Sequence, residues 1–256
     1  MPRYRAVLFD MFDTLVRFNR DRLPRLELDG RQVRSSVARL YPEAAAALPG
    51  VTVDAFYEAF LGAYRDAEQR REVDHREIPA PERFQFCYAR LGVDPARVPP
   101  GLTERLIQLH MACLADVAEP LPGRPELLEW LAGRYRLALV SNFDYTPTVR
   151  RILEREGIID CFEAILVSDV VGWRKPSPRI FQAAFEHLGV RAADCLFVGD
   201  RPELDVAGAK GVGMDVAWLN PGGEAFPQGL PAPDYTLDCL GALRGVLERL
   251  EGEGPK

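Results

Sequence analysis

The chain has 256 residues, 47% hydrophobic and 27% charged, a size and balance that suit one domain with a large insertion or two modest domains. Its net charge of −6 argues against nucleic acid or an anionic membrane surface as the main partner. No apolar run approaches the ~18 residues that span a bilayer, and the stretch before Asp10 offers no signal-peptide core, so a cytoplasmic protein is expected.

In chain order, Ala6 to Phe9 is a short apolar run without alternation, which predicts a fully buried strand. It ends abruptly in Asp10, and Asp13 and Thr14 follow before apolar residues resume. A carboxylate directly after such a strand stands where α/β sheets place their ligands and chemistry, outside the carboxyl edge. A lone aspartate there more often caps the next turn. Three later motifs change that weighting.

From about Arg17 to about Glu119 the pattern is helical and strand-like runs are not expected. Phe56, Phe60, Ala63 and Tyr64 share one helical face, Phe84, Cys87, Tyr88 and Leu91 another, and Leu102, Leu106, Leu109 and Cys113 a third. Breaks are expected near Pro42, Pro49-Gly50, Pro79 to Pro81 and Pro99-Pro100-Gly101. His110 reads as a packed core histidine and the aromatic stripes as core. Arg17, Arg20, Arg22 and Arg25, with Asp21 among them, read as a solvated linker in preference to an anion-recruiting mouth.

Pro120-Leu121-Pro122-Gly123 marks a return to alternating strands and helices, the pattern of βαβ units around a parallel sheet. Strands are expected at Arg136 to Val140, Ala164 to Val167, Cys195 to Val198 and Met214 to Leu219. Helices are expected at Pro125 to Ala132, Pro147 to Arg155, Pro178 to Leu188, Pro202 to Lys210 and about Asp238 to Leu250, with a frayed tail from Glu251 to Lys256. The five cysteines are widely spaced without a Cys-x-x-Cys, and read as reduced small hydrophobes.

Three segments of this half carry polar residues at or near strand ends: Ser141-Asn142 after Val140, Gly172-Trp173-Arg174-Lys175-Pro176 ahead of a helix, and Gly199-Asp200 with Asp205 after Val198. The lysine is informative, because Lys175, Lys210 and Lys256 are the only lysines in the chain. Beside Asp10, these residue types suit one reaction class. Paired carboxylates hold Mg²⁺ through hard oxygen ligands. A carboxylate kept ionised by a metal and a lysine can act as a nucleophile. A hydroxyl and an ammonium can stabilise a transferring phosphoryl group.

The order Asp-x-x-x-Thr, Ser-Asn, Lys-Pro, Gly-Asp-x-x-x-x-Asp resembles the haloacid dehalogenase superfamily of hydrolases over essentially the whole chain. The resemblance implies a doubly wound, Rossmann-like α/β core at 1–16 and 120–256 with an all-helical cap inserted at 17–119. It also implies roles. Asp10 would be the nucleophile forming an aspartyl intermediate, and Lys175 would stabilise it and the transition state. Ser141 would bind a phosphoryl oxygen and Asn142 would shape the phosphate pocket. Thr14 would fix the loop after the first strand. Asp10, the backbone carbonyl of Phe12 and Asp200 would hold Mg²⁺, and Asp205 would reach the metal through water or orient Lys175.

One position departs from the phosphatase pattern. Phosphatases of the superfamily usually carry Asp two residues after the nucleophile as general acid, and here that residue is Phe12. Asp13 would point to the opposite face of an extended chain. The dehalogenases of the superfamily also carry an aromatic residue there, since a halide leaves without a proton, but they do not need the metal ligand Asp200. The expectation is a Mg²⁺-dependent phosphatase acting on a small anionic metabolite. A 2-haloacid dehalogenase-like hydrolase and a catalytically silent binding member are the alternatives.

Overall fold

The computed structural model describes residues 3–252. In chain order, β1 (Ala6–Phe9) and β2 (Val16–Phe18) precede β3 (Arg25–Leu28) and β4 (Arg31–Arg34), then α1 (Val37–Ala47), α2 (Val53–Asp74), α3 (Ala80–Arg90) and α4 (Leu102–Val117). After β5 (Ala118–Pro120) come α5 (Arg124–Ala132), β6 (Arg136–Ser141), α6 (Thr146–Arg155), β7 (Ala164–Val167) and the short α7 (Ser168–Val171). The chain closes with α8 (Pro178–Leu188), β8 (Cys195–Gly199), α9 (Ala207–Gly211), β9 (Asp215–Leu219), β10 (Tyr235–Leu237) and α10 (Ala242–Gly252). No helix among the described residues is long and apolar enough to cross a membrane.

Two compact units emerge. The first takes the described residues through Arg17, Glu119–Phe143, and those from Ile152 onward. Its sheet runs β10-β9-β8-β1-β6-β7, with the ladders parallel. All four residues of β1 are fully buried, which is why the run is continuously apolar: helices cover both faces of a parallel sheet. On one face Ala6, Leu8, Ala138, Val140 and Phe197 share a core with Ile180, Phe181, Ala184 and Leu188 of α8. That helix is framed by Ser177 accepting from the Arg179 N–H, by Pro178 in the first turn and by Gly189 at φ 57°. Strand order turns outward on either side of β1, toward β6 and β7 one way and β8 and β9 the other. Ligand crevices form at such a switch point, outside the carboxyl ends of the strands. Register puts Phe9 beside Leu139 and Val198, so three strands deliver their last residues to one edge.

The second unit comprises Phe18–Ala118 and Asp144–Arg151, so it includes residues that the sequence reading left with the α/β core. Most positions of its helical stripes pack as their spacing requires, but Tyr64, expected in the first core stripe, is 52% exposed, a position that its amphipathic phenol tolerates. Phe56 and Phe84 are buried, as are Leu102, Leu106 and Cys113. His110 is a packed histidine: its Nδ1 lies 2.8 Å from Ser36 Oγ and its ring stands edge-on to Phe60 at 5.1 Å.

Several expectations need correction. The insertion is not all-helical, because β3 and β4 form an antiparallel hairpin with Leu26 opposite Val33. Asp29 and Gly30 make its turn with φ of 45° and 73°, the paired positive values of a type I′ connection, so Arg25 belongs to a strand and not to a linker. Pro42 does not break the chain but lies inside α1. One missing N–H there is outweighed by the burial of Val37, Leu40 and Ala44. The helix expected at Pro202 to Lys210 opens as a π turn over Pro202–Val206 before α9, and the last helix starts at Ala242 and not near Asp238. Of the expected frayed tail, Glu251 and Gly252 belong to α10, and Glu251 accepts from Tyr135 Oη at 2.6 Å. Residues 253–256 lie outside the described residues.

Candidate active site

The site is built at the carboxyl edge of the first unit's sheet. Asp10 continues the ladder of β1, its N–H donating to the Val198 carbonyl at 2.9 Å. Its Oδ1 accepts from Lys175 Nζ at 2.5 Å, and the same ammonium lies 2.8 Å from Asp205 Oδ1. Lys175 and Asp205 are each 1% exposed, so the lysine is held between two carboxylates out of water. Burial pulls its pKa down, but Asp10 and Asp205 together outweigh burial and hold it above the ordinary lysine range, so it stays charged. The π turn has its cause here. Asp205 points inward and accepts the Arg201 N–H on Oδ2 at 2.9 Å, while the Asp205 and Val206 N–H groups both reach the Arg201 carbonyl. Gly199 permits this approach, since a Cβ there would lie 2.4 Å from Asp205 Oδ2.

Asp200 follows β8 and faces the same space. One oxygen each of Asp10, Asp200 and Asp205 lie within 4.8 Å of one another. Thr14, fully buried, donates to Asp200 Oδ1 at 3.4 Å, and the indole N–H of Trp218 on β9 donates to the Asp200 carbonyl at 2.9 Å. Three carboxylates against one ammonium leave an excess of negative charge. Burial, then the like charges of Asp10, Asp205 and Asp13, pushes Asp200 up to about 8. Burial, opposed by Lys175 and reinforced by Asp205, pushes Asp10 up to about 6. An all-oxygen donor set with surplus negative charge fits a hard divalent cation.

Ser141 ends β6 and is fully buried, and its Oγ meets no hydrogen-bond partner among the described residues. A buried hydroxyl left so is costly and calls for a ligand atom or water. Asn142 does something its position in the sequence did not suggest. Its amide accepts the Lys175 N–H at 2.7 Å and donates to the Lys175 carbonyl at 2.9 Å, clasping that residue's backbone from both sides. Sequence reasoning also missed Trp218 and Phe143. The ring of Phe143 lies 5.0 Å from that of Phe12 at 35°. No motif marks either one, although an aromatic directly after Ser-Asn was visible. Asp13 is exposed, with φ 61°, and its N–H is tied to the Val16 carbonyl at 2.6 Å.

Residues 100–213 match the family described as haloacid dehalogenase-like hydrolase. Pyrimidine 5'-nucleotidase YjjG of Escherichia coli is 34% identical over 64% of this chain and 69% of its own length. Glyceraldehyde 3-phosphate phosphatase of Pyrococcus abyssi is 30% identical over 85% of this chain and 82% of its own. Among solved structures, the 2-haloacid dehalogenase of Pseudomonas syringae pv. Tomato superposes with a TM-score of 0.71 at 24% identity, covering 96% of this chain and 99% of the other, a likeness of fold. With its Asp, Ser-Asn, Lys and Gly-Asp motifs gathered on one sheet edge, the chain belongs to the haloacid dehalogenase-like hydrolases.

Proposed function

We propose that this hydrolase is a Mg²⁺-dependent phosphatase acting on a small phosphorylated metabolite through an aspartyl-phosphate at Asp10. The observation that carries the reading is the conjunction of the Asp10–Lys175–Asp205 chain with Asp200 and the unpartnered hydroxyl of Ser141. Asp10 attacks phosphorus, and the bond from phosphorus to the leaving oxygen breaks. Lys175 keeps Asp10 ionised and stabilises charge on the transferring group. Ser141 donates to a phosphoryl oxygen, which completes its hydrogen bonding. Asn142 fixes the backbone of Lys175, and Thr14 holds the carboxylate of Asp200. Asp10, Asp200 and the Phe12 carbonyl would hold the metal, with Asp205 serving chiefly to position Lys175. Bound Mg²⁺ would neutralise phosphoryl charge and orient the group for attack. The relatives named as phosphatase and nucleotidase support a phosphorylated substrate.

Phe12 favours a second reading, halide displacement from a 2-haloacid, in which no proton donor is needed. Asp200 within the acidic cluster weighs against it, because that chemistry has no use for a metal ligand. The two separate on p-nitrophenyl phosphate, acetyl phosphate and 2-chloropropionate, each assayed with Mg²⁺ and with chelator, beside Asp10→Asn. Phosphate release requiring both Mg²⁺ and Asp10 is expected. Chloride release indifferent to chelator would overturn the phosphatase reading.

A further inference from the structure

Phosphate hydrolysis through an aspartyl intermediate handles a proton twice. An alkoxide leaving group must gain one as it departs, and the water that later attacks phosphorus must lose one. Among the described residues of the sheet edge, no carboxylate beside Asp10 stands free of other partners on the side of the leaving group. Two residues along from Asp10 stands Phe12, and two residues along from Ser141 stands Phe143. Their rings lie 5.0 Å apart and both are partly exposed. The strand ends that carry the nucleophile and the phosphoryl-binding hydroxyl are therefore flanked by an aromatic pair.

The carboxylates nearby have other engagements. Asp205 is taken by Lys175 and by the Arg201 N–H. Asp200 is held by Thr14 and belongs to the cation cluster. Asp13 is exposed to solvent on a left-handed backbone whose N–H is tied to the Val16 carbonyl. Lys175, pinned between Asp10 and Asp205, carries its proton already.

Resting on the phosphatase reading, we propose that Asp10 is a phosphoryl acceptor that loads rapidly from acyl phosphates and discharges slowly, so that the protein accumulates as its aspartyl-phosphate. In loading, Asp10 Oδ forms a bond to phosphorus, and the bond from phosphorus to the acyl oxygen breaks. Its electron pair leaves as a carboxylate that needs no proton at neutral pH. In discharge, water oxygen bonds to phosphorus and the bond to Asp10 Oδ breaks, returning the carboxylate and releasing phosphate. The proton that water sheds passes to bulk solvent and not to a positioned base. A positioned base contributes about 10²–10⁴-fold, so discharge is slow by that factor while loading is not. Alkyl phosphates, whose leaving group needs the proton, load slowly as well.

The test mixes the full-length protein with Mg²⁺ and acetyl phosphate, quenches in acid at short times, and measures acetate, phosphate and intact protein mass separately. Expected are a burst of acetate of about one equivalent, a slow steady state, and protein carrying one phosphoryl group that is absent in Asp10→Asn. Phe12→Asp should remove the burst and raise steady-state phosphate release by about 10²-fold or more. Asp13→Asn should keep the acetate burst of about one equivalent. Since Phe12→Asp also disturbs packing against Phe143, the wild-type burst is the deciding measurement. Acetate and phosphate appearing together from the first turnover, with no phosphorylated protein, would overturn the proposal while leaving the phosphatase reading intact. Absence of any Mg²⁺-dependent phosphate release from acetyl or p-nitrophenyl phosphate would sink both.

Discussion

Asn142→Ala isolates the clasp on Lys175. Truncation deletes an acceptor at 2.7 Å and a donor at 2.9 Å that together satisfy the N–H and carbonyl of a residue 1% exposed. Each lost bond costs about 1 kcal/mol net, and leaving the buried backbone group unpaired raises this toward about 2 kcal/mol, so the pair amounts to about 2–4 kcal/mol. In a chain of this size about 1 kcal/mol shifts Tm by roughly 2–4 °C, so a fall of roughly 5–15 °C is expected. Lys175 Nζ must also stay in register with Asp10, and a misplacement of about 1 Å costs about 10²-fold, so kcat should drop by about 10–10²-fold with little change in KM. Asn142→Asp keeps the acceptor and loses the donor, and should fall between. The assay pairs thermal unfolding with steady-state hydrolysis of p-nitrophenyl phosphate. An Asn142→Ala protein with unchanged Tm and kcat but a raised KM would place the amide on the substrate and refute the clasp.

The acidic cluster predicts a pH-dependent response to metal. Asp200 at about 8 sits above its ordinary carboxylate value, so the metal-free fold binds a proton that the unfolded chain releases. That stability is present in acid and lost as pH rises through about 8. Mg²⁺ held at the cluster would replace that proton and should raise Tm more at about pH 8 than at about pH 5; equal gains would contradict this. Trp218→Phe removes the indole bond to the Asp200 carbonyl and should weaken Mg²⁺ binding by about 3–10-fold in calorimetry, with unchanged affinity showing the bond to be idle. In the helical unit Arg83 Nε pairs with Asp144 Oδ2 at 2.8 Å, the side chains 3% and 11% exposed. Arg83→Met strands that carboxylate and should cost about 3 kcal/mol in urea unfolding; a loss under about 1 kcal/mol would mean that Arg71, 3.8 Å away, takes over.

Much of the core was legible because the central parallel strands are apolar on both faces and end in a polar residue, as Ala6 to Phe9 ends in Asp10 and Leu196 to Gly199 in Asp200, whereas β10, with Thr236 exposed at the sheet's edge, carries no such run. The β3–β4 hairpin was hidden by its arginines, although Leu26 and Leu28, Asp29-Gly30 and Val33 carry the alternation and the turn pair that mark one. Pro42 shows that burial of a helix face can outweigh a breaker. The positions of Asp10 and Asp200 could be read from residue type at strand ends, and Lys175 from its place just ahead of a helix. The clasp of Asn142 could not, because its partner is the backbone of a residue 33 positions away, and backbone groups leave no mark in a sequence. Trp218 was hidden for the same reason.

In the proposed cycle water attacks phosphorus bonded to Asp10. The most direct test runs a single turnover of acetyl phosphate in heavy-oxygen water and locates the label by mass spectrometry. Heavy oxygen is expected in the released phosphate and none in the Asp10 carboxyl, since the bond from phosphorus to Asp10 is the one that breaks. Label in the Asp10 carboxyl would mean that water attacks its carbon, the course of an ester intermediate of the dehalogenase type, and would rule out the aspartyl-phosphate route.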